Sequence, residues 1–310
     1  MSGDRDNRTE GKSVGGRYEF LTCDVFTDHA YSGNPLAVLP DARGLDDAEM
    51  QAIAAEFNLS ETAFVIPRDP PALRIFTPAS ELPFAGHPTI GTAHVLHEAG
   101  LLAADAAFEE RVGRINLEVE PAAAGGSPRI WLTTATLPER GPTLPDPAAL
   151  AHVLGLGAED LHLSWPAEAW SCGVPFACIA LRDRTALSRV VLDRTAWQDT
   201  LARQWAEKIY VFTPGTGYGE LHARMFAPSI GIDEDPAPGA AASALAGYLA
   251  RHASRPRDDH WTIHQGVELG RPSRLELALK QDNGALAKVR LGGRAVTVSS
   301  GWLVAPDGDE

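Results

Sequence analysis

Residues 74–87 read RIFTPASELPFAGH and residues 224–240 read RMFAPSIGIDEDPAPGA, two stretches that match at Arg, Phe, Pro, Glu, Pro and Gly once three extra residues are allowed in the second. Two shorter pairs precede them in the same order. SGNPLAV from Ser32 is echoed by CGVPFAC from Cys172, and ETAFV from Glu61 by EKIYV from Glu207. One such match arises by chance. Three in register, with a spacing that drifts as small loop insertions would make it drift, indicate an internal duplication. The chain therefore reads as two similar lobes, about residues 17–140 and 141–305, related by a pseudo-two-fold axis. A cleft between them is where pockets are preferentially found.

Within each lobe the periodicity is strand-rich with one strong helix, which predicts an α/β (α+β) fold. YEFLTCDVF from Tyr18 and PLAVLP from Pro35 read as strands. LDDAEMQAIAAEFN from Leu45 reads as an amphipathic helix whose acidic first turn suits the helix dipole. TAFVIP and LRIFTP follow as short strands. PTIGTAHVLHEAG from Pro88 is expected to be a helix that starts on its proline and stops at Gly100. The second lobe repeats the order with PFACIAL, a helix around TAWQDTLARQWA, then KIYVFTP, ARMFAP and GAAASALAGYLAR. HWTIHQGVEL, SRLELALKQ and AKVRLGGRAVTVSSGWLV close the chain as antiparallel strands.

Composition narrows the function. With 310 residues, 44% of them hydrophobic, two domains are the better expectation. A formal net charge of −14 repels phosphate backbones and anionic lipid, so neither nucleic acid nor membrane is an expected partner. A small anionic substrate still fits, because backbone N–H groups at a helix N-terminus bind anions locally. Three cysteines, Cys23, Cys172 and Cys178, are too few for a disulfide framework, which suggests a reducing cytoplasm. No HxH or HExxH set predicts a metal, and no glycine-rich phosphate loop predicts a nucleotide cofactor. Residues 1–16 lack an apolar signal-peptide core and read as a disordered leader, and residues 306–310 as a frayed tail.

The candidate chemistry lies at the element junctions. Gly86-His87-Pro88-Thr89 opens a predicted helix, where backbone N–H groups would receive a carboxylate. Asp235-Pro236-Ala237-Pro238-Gly239 holds the equivalent place in the other lobe, followed by Ala240. If the lobes face one another, both helix N-termini converge on the cleft. Glu61 sits between a helix and an apolar strand, where partial burial would raise its pKa toward that of a useful acid/base. His87 is a possible acid/base or a donor to an anion. The plainer reading of each stays open: well-capped loops, a solvated carboxylate and a structurally satisfied histidine. Ser60 with His87 makes no hydrolase case, because no G-x-S-x-G elbow accompanies them.

DVFTDHAYSGNPLAV, MQAIAAEFNLSETAFV, the two duplicated stretches with their following helices, and QGVELGRPS together resemble the PhzF-like family over nearly the whole chain past the leader. The resemblance implies a diaminopimelate epimerase-like fold, two pseudo-symmetric lobes each with a curled sheet around a central helix, assembled as a homodimer. It implies a cofactor-independent isomerase of secondary metabolism, including antibiotic biosynthesis, similar to trans-2,3-dihydro-3-hydroxyanthranilate isomerase. The family's N-x-S-E-T glutamate, which moves a proton between ring carbons, corresponds to Glu61. Its G-H-P-T histidine and E-D-P aspartate correspond to His87 and Asp235, with Gly86 donating a backbone N–H. Pro88, Thr89, Gly239 and Ala240 would complete the substrate site. The family's usual T-G-S-A after D-P-A is here Pro238-Gly239-Ala240-Ala241, without either hydroxyl. Thiol-dependent epimerases of this fold place paired cysteines where His87 and Ala240 stand. A catalytically silent binding protein and a thiol-independent epimerase, with Asp235 as second base, are the competing readings.

Overall fold

The paired stretches fold alike in the computed structural model, which describes residues 16–122, 126–253 and 258–306. The leader's residues 1–15 and the tail's residues 307–310 lie outside the described residues. In the first lobe β1 (Arg17–Val25) is antiparallel to β2 (Asn34–Leu39). Helix α1 (Asp47–Phe57) crosses to β3 (Thr62–Ile66), parallel to β2, and β4 (Ala72–Phe76) and β5 (Glu81–Leu82) follow antiparallel. After α2 (Gly86–Glu98) come β6 (Asp105–Glu110), parallel to β4, then β7 (Gly113–Glu120) and β8 (Arg129–Thr133).

The first lobe's span closes with β9 (Glu139–Arg140), and the second opens with α3 (Pro147–Val153), then β10 (Glu168–Ser171) and β11 (Pro175–Ala180). Helices α4 (Arg184–Ser188) and α5 (Arg194–Thr200) lead to β12 (Lys208–Pro214), β13 (Glu220–Ala227) and β14 (Ile232–Asp235). Helix α6 (Gly239–His252) precedes β15 (Asp258–Gln265), β16 (Ser273–Asp282), β17 (Ala285–Gly293) and β18 (Ala295–Val304). From β10 to β17 the pairings repeat those from β1 to β8 in order and sense.

Each lobe wraps its sheet around one helix. Helix α2 is buried from Gly86 to Leu96, and α6 at Gly239 and from Ala241 to Leu249. Small and apolar residues on every face suit a helix with no solvent side. Helix α2 begins at Gly86, two residues before the proline expected to start it. Pro88 is tolerated inside the first turn because an N–H there has no intrahelical acceptor to lose. The predicted helix around TAWQDTLARQWA ends at Thr200, with turns beyond.

Strands at both lobe ends change sides. β18 pairs along its length with β1, and β9 pairs with β10, while β8 and β17 pair across the seam. Alternating burial in a strand specifies which face is buried and says nothing about which strand lies beside it.

The duplicated Arg and Glu form the same ion pair in each lobe. Arg74 Nε and Nη2 donate to the two Glu81 oxygens at 2.8 and 2.9 Å, and Arg224 does the same to Glu234 at 2.8 Å for both. Each guanidinium also sits 5.1 Å over the matched ring, Phe76 or Phe226. Arg224 is the more deeply placed, with Nη1 donating to Leu187 O and Val190 O. Cutting it back strands Glu234 at 10% exposure. R224A is therefore expected to lower unfolding free energy by about 3–5 kcal/mol in denaturant titration. R74A, at a better-hydrated pair, should cost visibly less.

Candidate functional site

The two central helices meet end to end. A Cβ added to Gly86 would lie 3.2 Å from Gly239 Cα, and one added to Gly239 would lie 3.1 Å from Gly86 Cα and 2.6 Å from Leu291 Cδ2. Glycine at both positions is what lets the backbones approach this closely. The N-cap residues, Ala85 and Pro238, supply no side-chain cap. First-turn N–H groups at Gly86, His87, Gly239 and Ala240 therefore lack capping side chains, and two positive helix ends meet at one place.

Glu61, His87 and Asp235 gather at this junction. Asn58, left-handed at φ 50°, ends α1 and turns the chain through Leu59 and Ser60 to Glu61, just before β3. Glu61 Oε2 stands 3.4 Å from His87 Nε2, with the side chains 13% and 2% exposed. The pair is close without being aligned as a hydrogen bond, and both atoms are buried without a partner. Unmet buried polar atoms are costly, and a pair left facing each other is ready to engage a third group.

Asn34 ties the two lobes together here. Its Nδ2 donates to Asp235 Oδ1 at 3.0 Å and Ala237 O at 3.3 Å, and lies 3.4 Å from His87 Nδ1. Ser60 Oγ donates to Asn34 Oδ1 at 3.4 Å. Asp235 Oδ1 also accepts from the Ala237 N–H at 2.9 Å. Gln265 Nε2 donates to the Asp235 carbonyl at 3.0 Å while its Oε1 accepts from Tyr210 at 3.0 Å. The reading of the sequence missed Asn34 and Gln265 as site residues. Asn34 did carry a signal, because its counterpart in the duplicated stretch is Val174.

Burial dominates the electrostatics. It pushes the Glu61 carboxyl up to about 7, with the Ser60 hydroxyl opposing. Burial pushes Asp235 up to about 6, helped by the negative charge of Glu61 and opposed by His87, the Ala237 N–H and Asn34. Burial lowers His87 to about 4, so its imidazole is neutral at pH 7. Two carboxyls that resist being ionised together, beside a neutral imidazole, can hold and release one proton near neutrality. The matching glutamate of the second lobe, Glu207, is 31% exposed and 3.4 Å from Lys208. Only one copy of the duplication has kept the arrangement.

The remaining predicted positions divide. Gly86, Gly239 and Ala240 lie at the junction, where they offer backbone rather than side chains. Pro88 is buried in the first turn of α2. Thr89 is there too, but its hydroxyl turns away, toward Ala85 O at 2.7 Å and Glu110 Oε1 at 2.8 Å. The cysteines stand elsewhere, buried on β1, just after β10 and on β11, and burial drives the Cys23 and Cys178 thiols far up, away from reactive thiolate. A groove of about 700 Å³ along the seam is lined by Ser32, His264, Arg129, Arg274, Glu276 and Arg294 among others. Its carboxylates Glu276 and Asp28 face Arg129, Arg274 and His29, whereas the two carboxyls that burial pushes up together, Glu61 and Asp235, lie at the helix junction. That contrast makes the junction the candidate site.

A sequence model of the PhzC-PhzF family, described as phenazine biosynthesis-like protein, matches residues 23–301. An uncharacterized isomerase of Mesorhizobium japonicum is 42% identical, covering 92% of this chain and 98% of its own length. The trans-2,3-dihydro-3-hydroxyanthranilate isomerase of Pseudomonas fluorescens is 36% identical, covering 93% of this chain and 99% of its own. Among solved structures, the PhzF family phenazine biosynthesis protein of Bacillus anthracis superposes with a TM-score of 0.85 at 26% identity, covering 93% of this chain and 99% of the other. With these relatives and a family match over nearly all of the described residues, the chain belongs to the PhzC-PhzF phenazine biosynthesis-like family and is an isomerase of that family.

Proposed function

We propose that the protein is a cofactor-independent isomerase that shifts a proton and a double bond within a small unsaturated cyclic amino or carboxylic acid. The observation that carries this reading is the nearly dry Glu61 carboxyl, raised to about 7, facing the unpaired His87 Nε2 where two helix N-termini meet. The substrate carboxylate docks on the backbone N–H groups of Gly86 and Gly239 and the helix ends behind them. Ionised Glu61 takes a proton from an sp³ ring carbon, the electron pair moves through the adjacent double bond, and the same carboxylic acid returns the proton to the far carbon of the allylic system. Nothing is gained or lost overall. Neutral His87 and the Asp235 carboxyl hold the substrate's polar substituents and redistribute the shared proton.

The substrate class includes trans-2,3-dihydro-3-hydroxyanthranilate, the compound named for the Pseudomonas relatives, together with other small unsaturated amino acids. Pro238 and Ala240 supply no hydroxyl to a bound carboxylate, and such a bond is worth about 1.5–3 kcal/mol. That is enough to alter preference among them. Incubation of these compounds in deuterated water is expected to show an absorbance change, with deuterium at one new sp³ carbon to the extent that the Glu61 acid exchanges with solvent before it returns the proton. Because Glu61 must be ionised to start, kcat/KM should rise with pH through about 7. Binding without product would favour a silent binding protein, and inversion at a single α-carbon an epimerase with Asp235 as second base.

A further inference from the structure

Outside this trio, one more buried carboxyl lies close to the junction. Glu110 ends β6, is 6% exposed, and meets α2 at Thr89, two residues after His87. Thr89 Oγ has two oxygen neighbours, Ala85 O at 2.7 Å and Glu110 Oε1 at 2.8 Å. A hydroxyl owns one hydrogen. The helix carbonyl can only accept, so Thr89 donates to it and the hydrogen between Thr89 and Glu110 comes from the carboxyl. Glu110 Oε2 is buried without a partner, a tolerable state for the carbonyl oxygen of a neutral acid and a poor one for a carboxylate.

We infer that Glu110 is a positioning residue of the active site, held as a neutral acid, whose O–H fastens Thr89 and with it the first turn of α2. Its neutrality also keeps a competing negative charge away from the helix end that receives the substrate carboxylate. The second role rests on the anion-binding function proposed above; the first does not. Burial pushes the Glu110 carboxyl up to about 8.

The charged groups sharing its groove are Asp47 on α1, Arg68 after β3, Arg74 on β4, Glu81 on β5, and Glu109 and Arg111 beside it. Arg74 is bound to Glu81 and Asp47, and Arg111 to Glu81, so two of the three cations in the groove are already paired, and Arg68 is the third. On α2 the titratable group closest in sequence to Thr89 is His87, neutral at these pH values, and burial lowers His94 further along the helix as well.

The test is a pH titration of the Gly86, His87 and Thr89 amide resonances in the parent and in E110Q, whose amide can still donate to Thr89. A midpoint near 8 in the parent, absent from E110Q, is expected. A parent titrating only in the ordinary carboxylate range, or E110Q keeping the midpoint, overturns the inference. In an E61Q background, which blocks turnover, affinity for trans-2,3-dihydro-3-hydroxyanthranilate should fall about tenfold above that midpoint and stay level when E110Q is added. A fall shared by both would remove the anion role and leave the fastening role to the amide titration. Absence of binding at every pH would instead count against the proposed substrate class, with Glu110 still judged by its amides.

Discussion

Changing Glu61 to Gln is expected to lower turnover by roughly a thousandfold, the range of a general acid/base that acts directly on the substrate. Gln keeps the shape and loses only the ability to take a proton. Circular dichroism should be unchanged and ligand affinity largely retained. Stability gives a second readout with a definite sign. In the unfolded chain Glu61 ionises at its ordinary value of 4.5, whereas in the folded protein it holds its proton up to about 7. The folded state therefore binds more protons over that window, and the stability present below 4.5 is lost as pH rises to about 7. E61Q lacks that loss and should melt higher than the parent at pH 8. Unchanged turnover in E61Q would remove the mechanism.

The second large effect is expected at Gly239. Its would-be Cβ comes within 2.6 Å of Leu291 Cδ2 and 3.1 Å of Gly86 Cα, so a valine forces the two helix ends apart. Leu291 can shift in part, but the Gly86 backbone cannot without moving His87. A displacement near 1 Å between Glu61 and the anion site costs on the order of a hundredfold in rate, and overpacking of this kind costs about 1–3 kcal/mol. G239V is expected to show both in steady-state assays and thermal melts. Full activity with an unchanged melting temperature would mean that the helix ends need not touch.

The duplication was the most legible feature, because matched residues do the same work twice: Arg74 with Glu81, Arg224 with Glu234, and Gly86 against Gly239. Glu61, His87 and Asp235 were legible through the motifs around them. Asn34 was marked only by its mismatch with Val174 in the other copy, and its role was hidden because its partner Asp235 is 201 positions away. Glu110 looked like one acid among many, and only its burial beside Thr89 distinguishes it. Thr89 was expected to complete the substrate site with no particular role for its hydroxyl. That hydroxyl is held by Ala85 and Glu110, an arrangement set by the neighbouring strand β6, which hydrophobic periodicity had not picked out. Strands β18 and β9 cross between lobes because pairing is decided by tertiary closure rather than by each strand's own residues.

All of the chemistry depends on one acid group being kept nearly dry beside His87 and across from Asp235. The most direct measurement is the carbon-13 resonance of the Glu61 side-chain carboxyl followed through a pH titration of the substrate-free protein, assigned by its absence in E61Q. A midpoint near 7, lowered when Asp235 is replaced by Asn, is the predicted result. A midpoint at the ordinary 4.5, indifferent to Asp235, would contradict the account.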